Sequence, residues 1–228
     1  MVEQKEKRPY TPLPISDEAA GTVPGRGRLI GKRILIVGGG QRTVEAETDP
    51  VGNGRAMSLL FAREGAQVAV ADMDTSSATS TVDQVAAAGG TAVAITADIS
   101  KPEQVEVVVE QAHAAIGSLD CIVVNVGIGA GMRLEGSTPD IWDQVMAVNL
   151  RGPMLACRAA LPIMEDGGAI LFISSVASIK PGSRMPSYDA SKAALGGLMR
   201  HVALEAEPKA IRDNIVTPGL IDTPLSRL

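Results

Sequence analysis

Aromatic residues are scarce in this chain: two phenylalanines, two tyrosines and one tryptophan among 228 residues. With 24 glycines and an apolar content of 45 %, the core must be packed by Ala, Val, Ile and Leu, as in an α/β protein whose helices and strands approach closely. Cysteine is scarce too. Cys121 and Cys157 lie in apolar surroundings without CxxC or Cys/His spacing, which excludes a disulfide framework and reads as buried free thiols in a reducing cytoplasm. The two histidines, His113 and His201, stand alone in helical stretches without an Asp, Glu or Cys cluster, so no metal site is expected. Apolar runs are strand-sized and interrupted, which leaves no membrane span, and the polar N-terminus has no signal-peptide core. A net charge of −5 with no long basic run argues against a nucleic-acid partner.

What is present divides into a tail and one domain. Residues 1–28 carry Pro9, Pro12, Pro14 and Pro24 among charged and small residues with no period of 2 or 3.6, the pattern of an irregular or disordered arm. Residues 29–228 read as a single dinucleotide-binding catalytic domain. Short β-branched runs at Arg33–Val37, Gln67–Ala71, Thr91–Ala97, Cys121–Val126, Ala169–Ser174 and Asn214–Thr217 predict six strands. Helical patterns over Arg55–Glu64, an Ala-rich stretch ending at Gly89-Gly90, a helix opened by Ser100 as N-cap, Pro139–Met164 and Ser187–Ala206 fall between them. Gly152-Pro153 should perturb the long one. Trp142, at helical spacing from Val145 and Met146, reads as core or interface. Strands alternating with helices imply a Rossmann-like doubly wound parallel sheet with helices on both faces, with ligands at the carboxyl ends of the strands.

Tyr188 and Lys192 are four apart, so on a helix they share a face. An ammonium beside a phenol should lower the tyrosine pKa from about 10, giving a group able to donate a proton to a carbonyl oxygen or accept one from an alcohol. Ser175, at the end of an apolar run, is placed to hydrogen-bond the same oxygen. A bare YxxxK ordinarily marks an unremarkable surface helix. The serine spacing and a cofactor motif overturn that reading here.

The cofactor motif spans several loops. Gly38-Gly39-Gly40 ends the first strand and Gly52-Asn53-Gly54 opens the following helix, where free N–H groups and the positive dipole end suit a pyrophosphate. Asp72, ending the second strand, can accept hydrogen bonds from both ribose hydroxyls and repel a 2′-phosphate; Met73 follows it. Asp98, with Ile99, is placed to contact adenine, and Asn125-Val126-Gly127 lets the backbone pass close to the cofactor.

These pieces, together with Phe61–Ala66, Val148-Asn149-Leu150, Ile173-Ser174-Ser175, Tyr188–Lys192 and Pro218–Pro224, resemble the classical short-chain dehydrogenases/reductases (SDR) from about Gly31 to Pro224. The resemblance implies that Tyr188 is the general acid/base, that Ser175 polarises the substrate oxygen and that Lys192 also holds the nicotinamide ribose. It further implies that Asn149 anchors a proton-relaying water, and that Ile221 and Thr223, after Pro218-Gly219, contact the carboxamide. Members commonly pair two helices, here the long helix before Met164 and that from Ser187, in homodimers or homotetramers.

Three departures stand out. Twelve residues separate Gly39 from Gly52 where the family has three, and the insertion carries Arg42, Glu45, Glu47 and Asp49; it is expected to loop outward and leave Gly52–Gly54 in place. The family's Asn-Asn-Ala-Gly reads Val124-Asn125-Val126-Gly127. The family's substrate-covering helix and seventh strand have no counterpart in this sequence, and a longer natural polypeptide is expected. Two functions follow. One is an NAD(H)-dependent oxidoreductase interconverting a small-molecule secondary alcohol and a ketone. The alternative is a non-catalytic dinucleotide-binding sensor or subunit without a substrate lid. The loops Ile128–Gly136 and Val176–Pro186 hold one arginine each and no aromatic residue, which hints at a modest apolar substrate pocket.

Overall fold

The computed structural model describes residues 16–42, 50–180 and 182–227. The strands are β1 (Arg33–Val37), β2 (Gln67–Asp72), β3 (Thr91–Thr96), β4 (Leu119–Val124), β5 (Met164–Ile173) and β6 (Arg212–Val216). They form one sheet in the order β3-β2-β1-β4-β5-β6, parallel throughout. Parallel neighbours need crossovers, and helices supply them. The helices are α1 (Asp17–Ala20), α2 (Asn53–Arg63), α3 (Thr75–Ala87), α4 (Pro102–Ile116), α5 (Pro139–Met146), α6 (Gly152–Ala160) and α7 (Pro186–Ala206). This is the doubly wound sheet expected, and the strand order reverses between β1 and β4, opening a crevice at their carboxyl ends.

The period of two along each strand builds two cores. Ile34, Ile36, Val68 and Val70 pack with Ala62 of α2 and Ala78 and Val85 of α3. Leu35, Val37, Ile122 and Phe172 face the other way, against Val105 and Val108 of α4, Leu155 and Ala156 of α6, and Leu195 and Val202 of α7. Both faces are thus covered, as near-continuous apolar strands require. Cys157 is buried and Cys121 half-buried, both free, and burial pushes the Cys121 thiol up to about 12, so neither is a ready nucleophile. No helix among the described residues is long and apolar enough to cross a membrane.

The structure corrects several expectations. Lys101, not Ser100, is the N-cap of α4, with Pro102 next; the Ser100 N–H (2.9 Å) and hydroxyl (2.7 Å) instead both donate to Asp98 Oδ1. A short polar side chain here serves the loop rather than the helix. The expected long helix over Pro139–Met164 is broken into α5, a π turn at Ala147–Arg151, α6 and a 3₁₀ turn at Leu161–Ile163. The perturbation falls just ahead of Gly152-Pro153, since Pro153 has no N–H to give an α-helical ladder. β5 starts five residues before its expected Ala169, because its pairing runs from Leu119↔Met164 to Cys121↔Ala169 across an irregular stretch.

Residues 16–28, part of the stretch expected to be irregular or disordered, are irregular apart from α1 and are tied down onto α2. Glu64, at the end of α2, accepts from the Arg26 N–H (3.1 Å), the Arg28 N–H (3.0 Å) and the Arg28 guanidinium (2.9 Å), while Gly25 packs against the Arg63 carbonyl. These bonds, the Arg28 side chain's first, hold the Glu64 carboxyl down to about 2. The prolines at 9, 12 and 14 lie outside the described residues.

One core position breaks the apolar pattern. Asp213 on β6, paired in register with Ile170, is 9 % exposed, and neither carboxylate oxygen meets hydrogen-bond geometry with a partner among the described residues. Burial pushes its pKa up to about 7, the nearby Asn214 N–H offsetting this only in part. A folded-state pKa above the unfolded value means that the Asp213 penalty is absent below about pH 4, grows between about pH 4 and 7, and is complete above about 7. Full burial over that interval corresponds to about 4 kcal/mol, and water reaching the strand edge reduces it to about 2. Asp213→Val should therefore stabilise the protein by about 2 kcal/mol at pH 8 and little at pH 4. Denaturant melts of both proteins across this range check it; an equal difference at both pH values would show that the carboxylate stays neutral or solvated.

Candidate active site

Tyr188 and Lys192 lie on the first turns of α7, and Ser175 follows β5 at the start of a 3₁₀ turn, Val176–Ser178. The parallel sheet brings the ends of β4 and β5 beside this helix. Lys192 is 3 % exposed, and its ammonium donates to the Ile173 carbonyl (2.9 Å) and the Val126 carbonyl (3.2 Å). It thereby staples the ends of both strands to α7, leaving one of three N–H donors uncommitted. Burial pushes its pKa down to about 8. Gly127 makes this position accessible, since a Cβ there would sit 3.0 Å from Nζ.

The tyrosine runs against the expected direction. Burial raises the Tyr188 pKa, the Ser175 hydroxyl lowering it by hydrogen bonding and the Asp189 charge adding to the rise. The Lys192 ammonium lies 5.8 Å from the ring centroid, with two of its protons directed at carbonyls, so burial prevails over its charge. Ser175 Oγ accepts from the Ala177 N–H at 3.1 Å, which leaves its own proton to donate. Serine and tyrosine thus converge on one point, with a neutral phenol.

Asn149 is fully buried in the π turn. Its carbonyl accepts from the Ile128 N–H, and its amide donates to the Ile128 carbonyl (both 2.9 Å) and to Ser191 Oγ (3.0 Å). It is therefore not an idle helix-interior polar group: it ties the loop after β4 to α7.

The residues expected to bind the nucleotide gather around the switch point. Gly54, in the first turn of α2, is pressed so close to β1's exit that a Cβ would lie 2.0 Å from the Gly38 carbonyl, which also accepts from Asn125 Nδ2 at 2.7 Å. The Gly40 N–H donates to Asp72 Oδ2 at 3.0 Å, and Asp74 N–H to Oδ1 at 3.1 Å. The nearby Arg55 guanidinium is directed at Thr81 (3.0 Å) and Ser80 (3.4 Å). Ile99 buries its side chain against Gly152, so only its backbone could meet a ligand, whereas Met73 is exposed. Pro218 accepts from Val176 N–H, placing the 218–223 segment beside Ser175; Gly219 and Ile221 are exposed and Thr223 is buried.

The insertion contributes a contact that sequence reasoning missed. Gln41 Oε1 accepts from the Gly52 N–H at 2.8 Å, closing the neck of the insertion, while Ser77 on α3 exchanges hydrogen bonds with the Gln41 backbone. Gly52–Gly54 keep their place, as expected; Glu45, Glu47 and Asp49 lie outside the described residues. The signal was the glutamine directly after the glycine run, a side chain able to reach a free helix-terminal N–H.

The close-packed glycines, the acidic end of β2 and the α2 N-terminus form a cradle fitting a dinucleotide, and residues 50–227 match the short-chain dehydrogenase family model described as Enoyl-(Acyl carrier protein) reductase. The chain is a short-chain dehydrogenase/reductase. It is 36 % identical over 207 residues to a glucose 1-dehydrogenase from Gluconobacter oxydans, covering 89 % of this chain and 74 % of that one. A short-chain dehydrogenase from Burkholderia cenocepacia, in complex with NADP, superposes with a TM-score of 0.79 at 34 % identity, covering 87 % and 78 %. A 7α-hydroxysteroid dehydrogenase complexed with NADH and 7-oxo glycochenodeoxycholic acid does so with a TM-score of 0.79 at 30 % identity, covering 88 % and 75 %. Nicotinamide dinucleotides of both kinds therefore occur among the relatives of this dehydrogenase.

Proposed function

We propose that this chain is an NAD(H)-dependent oxidoreductase that interconverts a secondary alcohol and a ketone. The observation carrying the reading is the convergence of Ser175 and the neutral Tyr188 phenol beside Lys192, at the end of the glycine cradle. When bound, the nicotinamide accepts or supplies the hydride. Gly52–Gly54 and the α2 N-terminus would hold the pyrophosphate, Asp72 the adenosine ribose, and the free Lys192 donor the nicotinamide ribose. Ser175 donates to the substrate oxygen and fixes it near Tyr188. In ketone reduction the Tyr188 phenol gives that oxygen its proton as the carbon takes up hydride; in alcohol oxidation both move in reverse.

Asp72 supports NAD over NADP by charge repulsion, and Arg55, which feels the Asp72 charge, spends its guanidinium donors on Thr81 and Ser80. NADH and NADPH oxidation measured against a ketone panel, with a 2-enoyl thioester included, tests the reading. NADH-dependent ketone reduction is expected, with NADPH slower by about tenfold or more. Cofactor binding without turnover would make the protein a binding module; preference for the thioester would move the reaction to a carbon–carbon double bond.

We further propose a homodimer or homotetramer. Met146, Leu150, Met154, Ala194 and Leu198 line one cleft between α5, α6 and α7, and Trp142 nearby is 38 % exposed. Such a face is suited to burial against a second copy. Light scattering should give at least a dimer at micromolar concentration; a monomer overturns the assembly.

A further inference from the structure

Two arginines share one cavity beside the proton donor. Arg133, in the loop after β4, and Arg184, in the loop before α7, are far apart in sequence, yet the Arg133 N–H donates to the Arg184 carbonyl at 2.7 Å. Both hold left-handed backbone, with φ of 58° and 62°, which few non-glycine residues adopt. With Leu134, Met185, Pro186 and Asp189 they line a wide, solvent-open cavity of about 750 Å³.

The cavity adjoins the chemistry. A Cβ on Gly129 would lie 2.7 Å from Met185 Sδ and 3.8 Å from Tyr188 Cδ2, so the methionine wall of the cavity is also the wall beside the phenol ring. Among the described residues neither guanidinium takes part in an ion pair. Asp189 is the one carboxylate in the lining, and it accepts from the Ser183 hydroxyl. The lining through Leu134, Met185 and Pro186 is the modest apolar pocket expected from the loop sequences, and two guanidiniums against one carboxylate add a net positive charge to it.

We infer that the substrate carries an anionic group, a carboxylate or a phosphate, remote from the reacting carbon, and that Arg133 and Arg184 bind it. The inference rests on the dehydrogenase reading and adds a substrate class to it. Planar guanidiniums suit either oxyanion, since each presents paired N–H donors. Their strained positions fix where the two side chains leave the backbone.

Isothermal titration of the NADH-bound protein with 4-oxopentanoate and its methyl ester, and with dihydroxyacetone phosphate and dihydroxyacetone, reads the preference without requiring turnover. At least one anion should bind about tenfold or more tightly than its neutral counterpart, with a margin that shrinks as salt is added. The pair that shows the margin identifies carboxylate or phosphate as the group recognised. In Arg133→Asn/Arg184→Asn the margin should collapse; asparagine tolerates left-handed backbone, so loss of charge is separated from loss of fold. Arg133→Lys/Arg184→Lys should restore part of it. Equal binding of each anion and its neutral counterpart, no binding of either anion, or a margin surviving in the asparagine pair overturns the inference. A margin present in a protein that reduces no ketone upholds the anion subsite and counts against the dehydrogenase reading instead.

Discussion

Tyr188→Phe should lower turnover by about 10²–10⁴ while leaving NADH binding nearly unchanged. The phenylalanine ring keeps its place beside Gly129, and Lys192 is held by the Ile173 and Val126 carbonyls rather than by the phenol. Removing the hydroxyl therefore takes away the proton donor without dismantling the pocket. Because burial raises the Tyr188 pKa, the resting phenol is protonated, the form that ketone reduction needs. Alcohol oxidation needs the phenol to lose its proton, so its kcat/KM should rise with pH in the wild type and lose that dependence in the variant. Steady-state kinetics in both directions, with fluorescence titration of NADH, measure all three quantities. Near wild-type turnover would remove Tyr188 from the mechanism.

Gly54→Ala should weaken NADH binding by about tenfold or more and lower the melting temperature. A methyl at this position would meet the Gly38 carbonyl at 2.0 Å and Asn125 Nδ2 at 3.0 Å. The first is backbone at the exit of a central strand, so no rotamer change relieves the contact. Overpacking of this kind costs about 1–3 kcal/mol, and alanine's better helix propensity returns at most about 1. Relief requires α2 to move away from β1, taking its N-terminal N–H groups from the pyrophosphate position. Calorimetric melting and NADH titration of the variant check both effects. Unchanged affinity would mean that the dinucleotide does not rest on this turn.

Much of this was legible because each signal was local. The β-branched run Arg33–Val37 between polar neighbours defines a strand whatever surrounds it, and the alternation with helices then dictates a parallel sheet. Ser175, Tyr188 and Lys192 could be paired from spacing because one helix and one strand end carry them all. What spacing could not supply was burial. The direction of the Tyr188 shift depends on how far the fold shields the ring and on where Lys192 aims its protons, at carbonyls from two other strands' ends. The docking of residues 16–28 escaped for the same reason, since Glu64 reads as an ordinary helix-terminal acid until the chain folds back over it. Arg133 and Arg184 stand on separate loops and look unrelated until a single backbone hydrogen bond joins them.

Asn149 makes the substrate side of this enzyme mechanically indivisible. One side-chain amide clamps both backbone groups of Ile128 and reaches Ser191 on α7, and Ser191 in turn donates to the Tyr188 carbonyl at 2.8 Å. A displacement of the loop after β4 is thus passed on to Tyr188, the residue proposed to move the proton. Attempts to retune selectivity by altering that loop should shift kcat along with KM, so recognition and rate are not independent dials in this fold. Variants of Ile128 or Gly129 that changed KM alone would show the linkage to be slack.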